Sequence, residues 1–290
     1  MIKETIYFSE DKSVRLECYL HEYSREMPYR KERPAVIVCP GGGYRFHSAR
    51  EADPIAFGYL GAGFNVFVFY YSVKEKALFP GPLCEISQVV AYIRENAEKL
   101  GVISDNIAVC GFSAGGHLAA SLGVHWNEDY ITEKTGYKNG ENKPNALILG
   151  YPVISASCFE DTPELYDDMN LLLGTEEKEK MYKEFNLHTC VNSDTPPTFL
   201  FHTFNDDIVP VKDSLQFALA LEEKDIPFEA HIYPNGPHGL SLSNSDVCAD
   251  GGDDDAAAWF NLSVNWLKRL FYNAEKDKTS MPRAKYLSTL

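Results

Sequence analysis

The sequence predicts an α/β fold: a mostly parallel, doubly wound sheet with helices on both faces and a small cap insertion. Three observations predict it. Five short runs, at 35–39, 65–71, 107–112, 146–151 and 198–203, are nearly continuous in apolar and β-branched residues, as strands buried on both faces of a parallel sheet should be. Amphipathic stretches of helical spacing lie between them, and strands alternating with helices imply right-handed crossovers. With 44% apolar and 24% charged residues, a chain of 290 residues can bury one large core, so 1–290 is expected to form a single domain.

The elements follow in order. VRLECYL (14–20) alternates more than the other runs and is expected to be an edge or antiparallel strand. AVIVC (35–39) is the first buried strand, and a helix over 51–62 opens with the acidic turn EADP and closes at Gly61. After NVFVFYY (65–71), residues 83–99 carry Ile86, Val89, Val90, Tyr92, Ile93 and Ala97 at helical spacing and end at Gly101, a C-cap. IAVCGF (107–112), ALILGY (146–151) and TFLFHT (198–203) continue the sheet, and FEAHIY (228–233) ends it. SLQFALALEEK (214–224) and AAAWFNLSVNWLKRLF (256–271) are amphipathic helices. Residues 152–195 are polar and acidic with no core strand, and are expected to form a cap over the C-terminal edge of the sheet. The polar tail 273–290 is expected outside the core, with disorder or docking on a second subunit both open, so a homo-oligomer stays open too.

Composition narrows the function classes. A formal charge of −15 argues against nucleic acid, which needs a basic surface, and against an anionic membrane. The N-terminus lacks the basic and apolar regions of a secretory signal, and no apolar stretch approaches membrane-spanning length. Seven cysteines stand singly with no CxxC pair, so no zinc cage or disulfide framework is expected and a reducing cytoplasm is the simplest location. The acidic stretch ADGGDDD (249–255) fits a solvated loop or a weak cation site.

The chemistry concentrates in three places. Gly111-Phe112-Ser113-Ala114-Gly115 follows a strand-like run and opens a helix-like one. G-x-S-x-G arises by chance roughly once in ten chains of this length; its placement carries the weight. A serine on a tight strand-to-helix turn holds its hydroxyl clear of the sheet, glycines relieve the crowding, and the Ala114 amide at the helix N-terminus points where an oxyanion would form. PGGGY (40–44) follows a buried strand. Its glycines let backbone amides approach a ligand, so Gly42 and Gly43 are expected to complete an oxyanion hole. The G-K-[ST] ending of a phosphate loop is missing.

His238, in the turn-rich loop YPNGPHGL, is the candidate base. His202 and His231 lie inside apolar runs and are read as core residues, and His117 as helix packing. HTFNDDIVPVKD (202–213) puts two adjacent carboxylates, Asp206 and Asp207, on a turn after a strand. One should accept from the histidine Nδ1–H and fix its tautomer; spacing does not choose between them. The order Ser, Asp, His is that of α/β hydrolases. Both acid and base fall after predicted strands, the edge where such sheets place their sites.

Together PGGGY, GFSAGGH (111–117), HTFNDDIVPVKDSLQFA (202–218) and YPNGPHGL (233–240) resemble bacterial α/β-hydrolase esterases of the BD-FAE and acetyl-xylan-esterase-like group, over about residues 30 to 270. The resemblance implies that the orienting aspartate lies four residues before the proline of the D-x-x-V-P turn, which is Asp206. It implies a serine esterase acting on short, acetyl-type esters of carbohydrates, with no metal or organic cofactor. Hormone-sensitive-lipase-like enzymes have a histidine where Pro40 stands, so a lipase-like acyl pocket is not implied. Tyr44, Phe46 and Tyr151 flank predicted strand ends and are candidate surfaces for stacking on a sugar ring, with plain packing as the alternative. Two other functions compete: a peptidase of prolyl-oligopeptidase-like catalytic type, whose gating domain 290 residues leave no room for, and a non-catalytic small-molecule receptor, which would typically lack one of the three groups.

Overall fold

The computed structural model describes residues 1–27, 30–155, 172, 184–248 and 254–272. Eight strands form one sheet in the order β1-β2-β4-β3-β5-β6-β7-β8: β1 (Ile2–Tyr7), β2 (Arg15–Leu20), β3 (Arg33–Cys39), β4 (Asn65–Tyr70), β5 (Val102–Phe112), β6 (Ala146–Gly150), β7 (Thr198–Thr203) and β8 (Phe228–Tyr233). From β4 to β8 every pairing is parallel. β2 runs antiparallel to both β1 and β4.

Alternate residues of each central strand feed opposite cores, which is why the runs are apolar throughout. Ala35, Ile37 and Cys39 of β3 join α2 (Gly81–Glu95), α4 (Ala114–His125) and α7 (Lys212–Glu223) on one face. Val36 and Val38 join α1 (Asp53–Gly61) and α8 (Asp254–Tyr272) on the other. Burying each large apolar side chain contributes about 1.5–3 kcal/mol. On the second face the Trp259 ring stacks on Phe201 at 4.2 Å.

The outline expected from sequence is present, with differences at the margins. VRLECYL is antiparallel as expected but is not an edge, because β1 covers it. β1 escaped notice because none of its residues is buried, so it carries no apolar periodicity. The helix expected over 83–99 breaks at Asn96 into α2 and a short α3 (Ala97–Leu100), which ends at Gly101 with φ 62°. A further helix, α5 (Asp129–Thr135), follows α4. Most of the expected cap, 156–171 and 173–183, lies outside the described residues, as do 249–253 of the acidic stretch and the tail 273–290. The described end of the insertion forms α6 (Leu187–Cys190), which packs on α4 and α7. Among the described residues no helix is long and apolar enough to cross a membrane.

Parallel register brings the chemistry together. Cys39 pairs with Gly111, Phe112 with Gly150, Gly150 with Phe201, and Thr203 with Tyr233. The segments after these positions all leave one edge of the sheet, the edge where doubly wound folds place their sites.

Candidate active site

Ser113 stands between β5 and α4 with φ 52° and ψ −118°. A non-glycine residue there costs of order 1–3 kcal/mol and persists only where its surroundings enforce it. They do so at Gly115, where a Cβ would lie 2.1 Å from the Cys39 carbonyl oxygen. The first turn of α4 is thus pressed against the end of β3, beside the loop 40–44.

That loop is held from several sides. Tyr71 donates to the Pro40 carbonyl at 2.6 Å. The Gly41 N–H donates to Glu51 Oε2 at 2.8 Å, and its carbonyl accepts from the Ser48 N–H at 3.0 Å. Gly42 follows with φ +122°, where a Cβ would meet the Phe46 carbonyl at 2.2 Å. Only glycine fits there. The amides of Gly42, Gly43 and Ala114 donate to no described protein group.

Three side chains meet beside these amides. His238 Nε2 lies 2.8 Å from Ser113 Oγ. His238 Nδ1 lies 2.8 Å from Asp206 Oδ2 and 3.1 Å from Oδ1. A carboxylate only accepts, so Nδ1 carries the proton and Nε2 is left to accept from the serine hydroxyl. Asp206 Oδ1 also accepts from the Ile208 and Val209 amides at 3.0 and 2.9 Å. Burial pushes the Asp206 pKa up, but hydrogen bonds from His202 and His238 outweigh it and hold the carboxyl below its ordinary range. Asp207 plays another part: its Oδ1 accepts from the His238 backbone N–H at 3.1 Å. The group opens into a cavity of about 720 Å³, lined in part by Gly42, Gly43, Phe46, Ile208 and Gly239.

Residues 23–221 match the BD-FAE family. The chain belongs to it. The solved structure of MGS-M1, an α/β hydrolase from a Medee basin deep-sea metagenome library, superposes with a TM-score of 0.74 at 38% identity, covering 93% of this chain and 98% of that one. The acetyl ester-xyloside bifunctional hydrolase from Caldicellulosiruptor lactoaceticus gives a TM-score of 0.75 at 30% identity over 93% of this chain and 96% of that one. An acetylxylan esterase of Xylanibacter ruminicola is 27% identical over 83% of this chain and 46% of its own length. The fold is that of an α/β hydrolase. The chain spans about a third to a half of the length of the curated relatives it matches.

Within this BD-FAE chain, two of the three aromatic candidates for stacking on a sugar ring are buried. Tyr44 is 4% exposed, its hydroxyl 2.9 Å from His117 Nδ1 and its ring edge-on to Tyr71. Tyr151 is fully buried, donates to Glu51 Oε1 at 2.7 Å and packs edge-on to His238 with centroids 5.1 Å apart. Both are corrected to packing residues: at a strand end, a large ring is drawn into the core unless the next layer excludes it. Phe46 is 60% exposed and lines the cavity.

Two residues of the site were not singled out from sequence. His202, read as core, is indeed buried, yet its Nε2 lies 3.2 Å from Asp206 Oδ2. Its spacing of four residues from Asp206 was the only available signal. Glu51, read as part of an acidic helix start, is 2% exposed beneath the glycine loop; nothing in EADP distinguishes it from a solvated N-terminal carboxylate. His125, Glu184 and Cys190 bring ligand-type atoms within 4.8 Å of one another, but none of them lines the cavity.

Proposed function

We propose that this chain hydrolyses carboxylic esters through an acyl-enzyme on Ser113. His238 takes the hydroxyl proton as Ser113 Oγ attacks the ester carbonyl, and Asp206 orients the ring and stabilises the imidazolium. The amides of Gly42, Gly43 and Ala114 receive the charge that develops on the carbonyl oxygen. His238 then returns the proton to the leaving alcohol, and a water activated by the same imidazole releases the acid. The observation that carries this reading is the 2.8 Å approach of His238 Nε2 to Ser113 Oγ, with Nδ1 already committed to a carboxylate.

Short acyl esters of carbohydrates are the substrate class that fits best. Two of the similar proteins are named as an acetylxylan esterase and an acetyl ester-xyloside bifunctional hydrolase. The cavity is open, with an exposed aromatic ring at Phe46 on its wall, a suitable face for a sugar ring.

The test is a panel of p-nitrophenyl esters of increasing acyl length, acetylated xylo-oligosaccharides and aminoacyl anilides, assayed with wild type and Ser113→Ala. Turnover of acetyl esters, lost in the variant, supports the reading. Cleavage of anilides in preference to esters would make the chain a peptidase, and ester turnover surviving in Ser113→Ala would remove the assigned nucleophile.

A further inference from the structure

Glu51 is the residue that ties the two halves of the site together. One carboxylate oxygen accepts from the Gly41 N–H at 2.8 Å and the other from the Tyr151 hydroxyl at 2.7 Å. Tyr151 in turn accepts from the Ser241 N–H at 3.0 Å, three residues beyond the base, and its ring lies against the imidazole of His238. Ser241 is pinned again, its hydroxyl donating to the Arg50 carbonyl and its own carbonyl accepting from Trp259 Nε1 at 2.8 Å. A single buried carboxylate thus links the loop after β3, the segment after β6 and the loop after β8.

We infer that Glu51 is a positioning residue for this reaction, holding the Gly42–Gly43 amides and the His238 loop in register across the Ser113 hydroxyl. The inference rests on the ester-hydrolase reading above. Glu51 cannot help by charge. It sits so close that a Cβ on Gly41 would be 2.7 Å from its Oε2 and 3.0 Å from Ser113 Cβ, and an anion there opposes a developing oxyanion. Its contribution is therefore geometric. With the Gly41 N–H committed to Glu51 and the Gly41 carbonyl committed to Ser48, the peptide planes on both sides of Gly41 are fixed. The Gly42 N–H shares a plane with the Gly41 carbonyl and is fixed with it. The Gly43 N–H shares one with the Gly42 carbonyl, which accepts from the Arg45 N–H at 2.9 Å, and both glycines line the cavity. Charge-assisted hydrogen bonds of this kind are shorter and stronger than neutral ones, as a loop needs if it must hold position when a tetrahedral adduct forms.

The experiment compares Glu51→Gln, Glu51→Leu and Tyr151→Phe with wild type on p-nitrophenyl acetate. A boronic acid that forms a tetrahedral adduct on serine serves as a second probe. Glutamine keeps one acceptor and turns an NH2 group on the other partner; leucine keeps neither. The expected result is a kcat about 10-fold lower in Glu51→Gln and about 100-fold lower in Glu51→Leu, the scale of a lost oxyanion donor. KM should stay within about 3-fold, as for a loss felt only in the transition state, and boronate affinity should fall in step with kcat. Tyr151→Phe keeps the ring and removes only the hydroxyl; it should lower kcat by several-fold, with little further effect in a Glu51→Leu background. The inference is overturned if Glu51→Gln and Tyr151→Phe match wild type in kcat and boronate affinity, or if the variants lose only thermal stability. It is also overturned if removing the charge raises kcat. Wild type inert toward esters would instead remove the hydrolase reading on which it rests.

Discussion

His202 Nε2 lies 3.2 Å from Asp206 Oδ2, the same oxygen that His238 Nδ1 approaches at 2.8 Å. The His202 ring is fully buried. Its Nε2 also faces the Val209 carbonyl at 2.9 Å and its Nδ1 the Ser214 hydroxyl at 2.8 Å. A carbonyl and a carboxylate both require a donor, so Nε2 carries a proton shared between them, and Asp206 is held from behind as well as in front.

Replacing His202 by Phe should therefore weaken catalysis without touching substrate. Asp206 would lose one of the donors that hold its carboxyl below the ordinary range, and with it the support that keeps it aligned on the His238 imidazole. We expect kcat to fall about 10-fold, less than the roughly 10²–10⁴-fold that general acid–base catalysis contributes as a whole. Steady-state kinetics of the two proteins checks it; an unchanged kcat would contradict it.

The adjacent carboxylates should behave very differently. Asp206→Asn leaves the imidazole with the wrong tautomer preference and should lower kcat by about 10³–10⁴-fold. Among the described residues Asp207 accepts from the His238 backbone N–H alone, so Asp207→Asn should cost less than about 10-fold, the scale of one exposed hydrogen bond. Steady-state kinetics of the pair decides it.

Gly115→Ala tests the packing that creates the elbow. In an ordinary helix the change stabilises by about 1 kcal/mol. Here the new methyl would lie 2.1 Å from the Cys39 carbonyl oxygen and 2.5 Å from that of Pro40, both rigid backbone, and overpacking of this kind costs about 1–3 kcal/mol or more. Thermal unfolding should show net destabilisation, together with loss of activity as the loop after β3 is displaced.

Asp213 should give the protein a pH-dependent stability that its exposed carboxylates do not. It is 1% exposed, and its Oδ2 accepts from the Ile154 and Ser155 amides at 2.7 and 3.0 Å. Burial outweighs these bonds and raises its pKa to about 6. An unfolded Asp titrates near 3.9, so as pH rises from about 4 to about 6 the unfolded chain releases this proton first. Stability then falls by on the order of 2–3 kcal/mol from this group and levels off above pH 6. Urea unfolding from pH 4 to pH 7 should show that slope in wild type and lose it in Asp213→Asn; parallel curves would contradict it.

The sequence made the sheet legible because parallel strands buried on two faces leave continuous apolar runs, and β3 through β7 all do. It made Ser113, His238 and the glycine loop legible as candidates because tight turns demand glycine and because all three follow predicted strands. β1 left no trace, since an exposed edge strand has no buried face to pattern. Glu51 and His202 were not assigned to the site for the opposite reason. Their roles depend on Gly41, Tyr151 and Asp206 arriving from elsewhere in space, and a local pattern cannot distinguish a buried carboxylate from a solvated one. Tyr151 was placed at the right strand end with stacking and packing both open, because the burial of a ring at a sheet edge is set by the loops above it.

The most direct test is covalent. Intact-protein and peptide mass spectrometry after treatment with a fluorophosphonate should show one adduct, on Ser113, forming at least about 100-fold more slowly in His238→Ala, as expected when a serine loses its general base. A wild-type Ser113 that stays unlabelled, or a His238→Ala protein labelled as fast as wild type, would contradict the assignment of nucleophile and base.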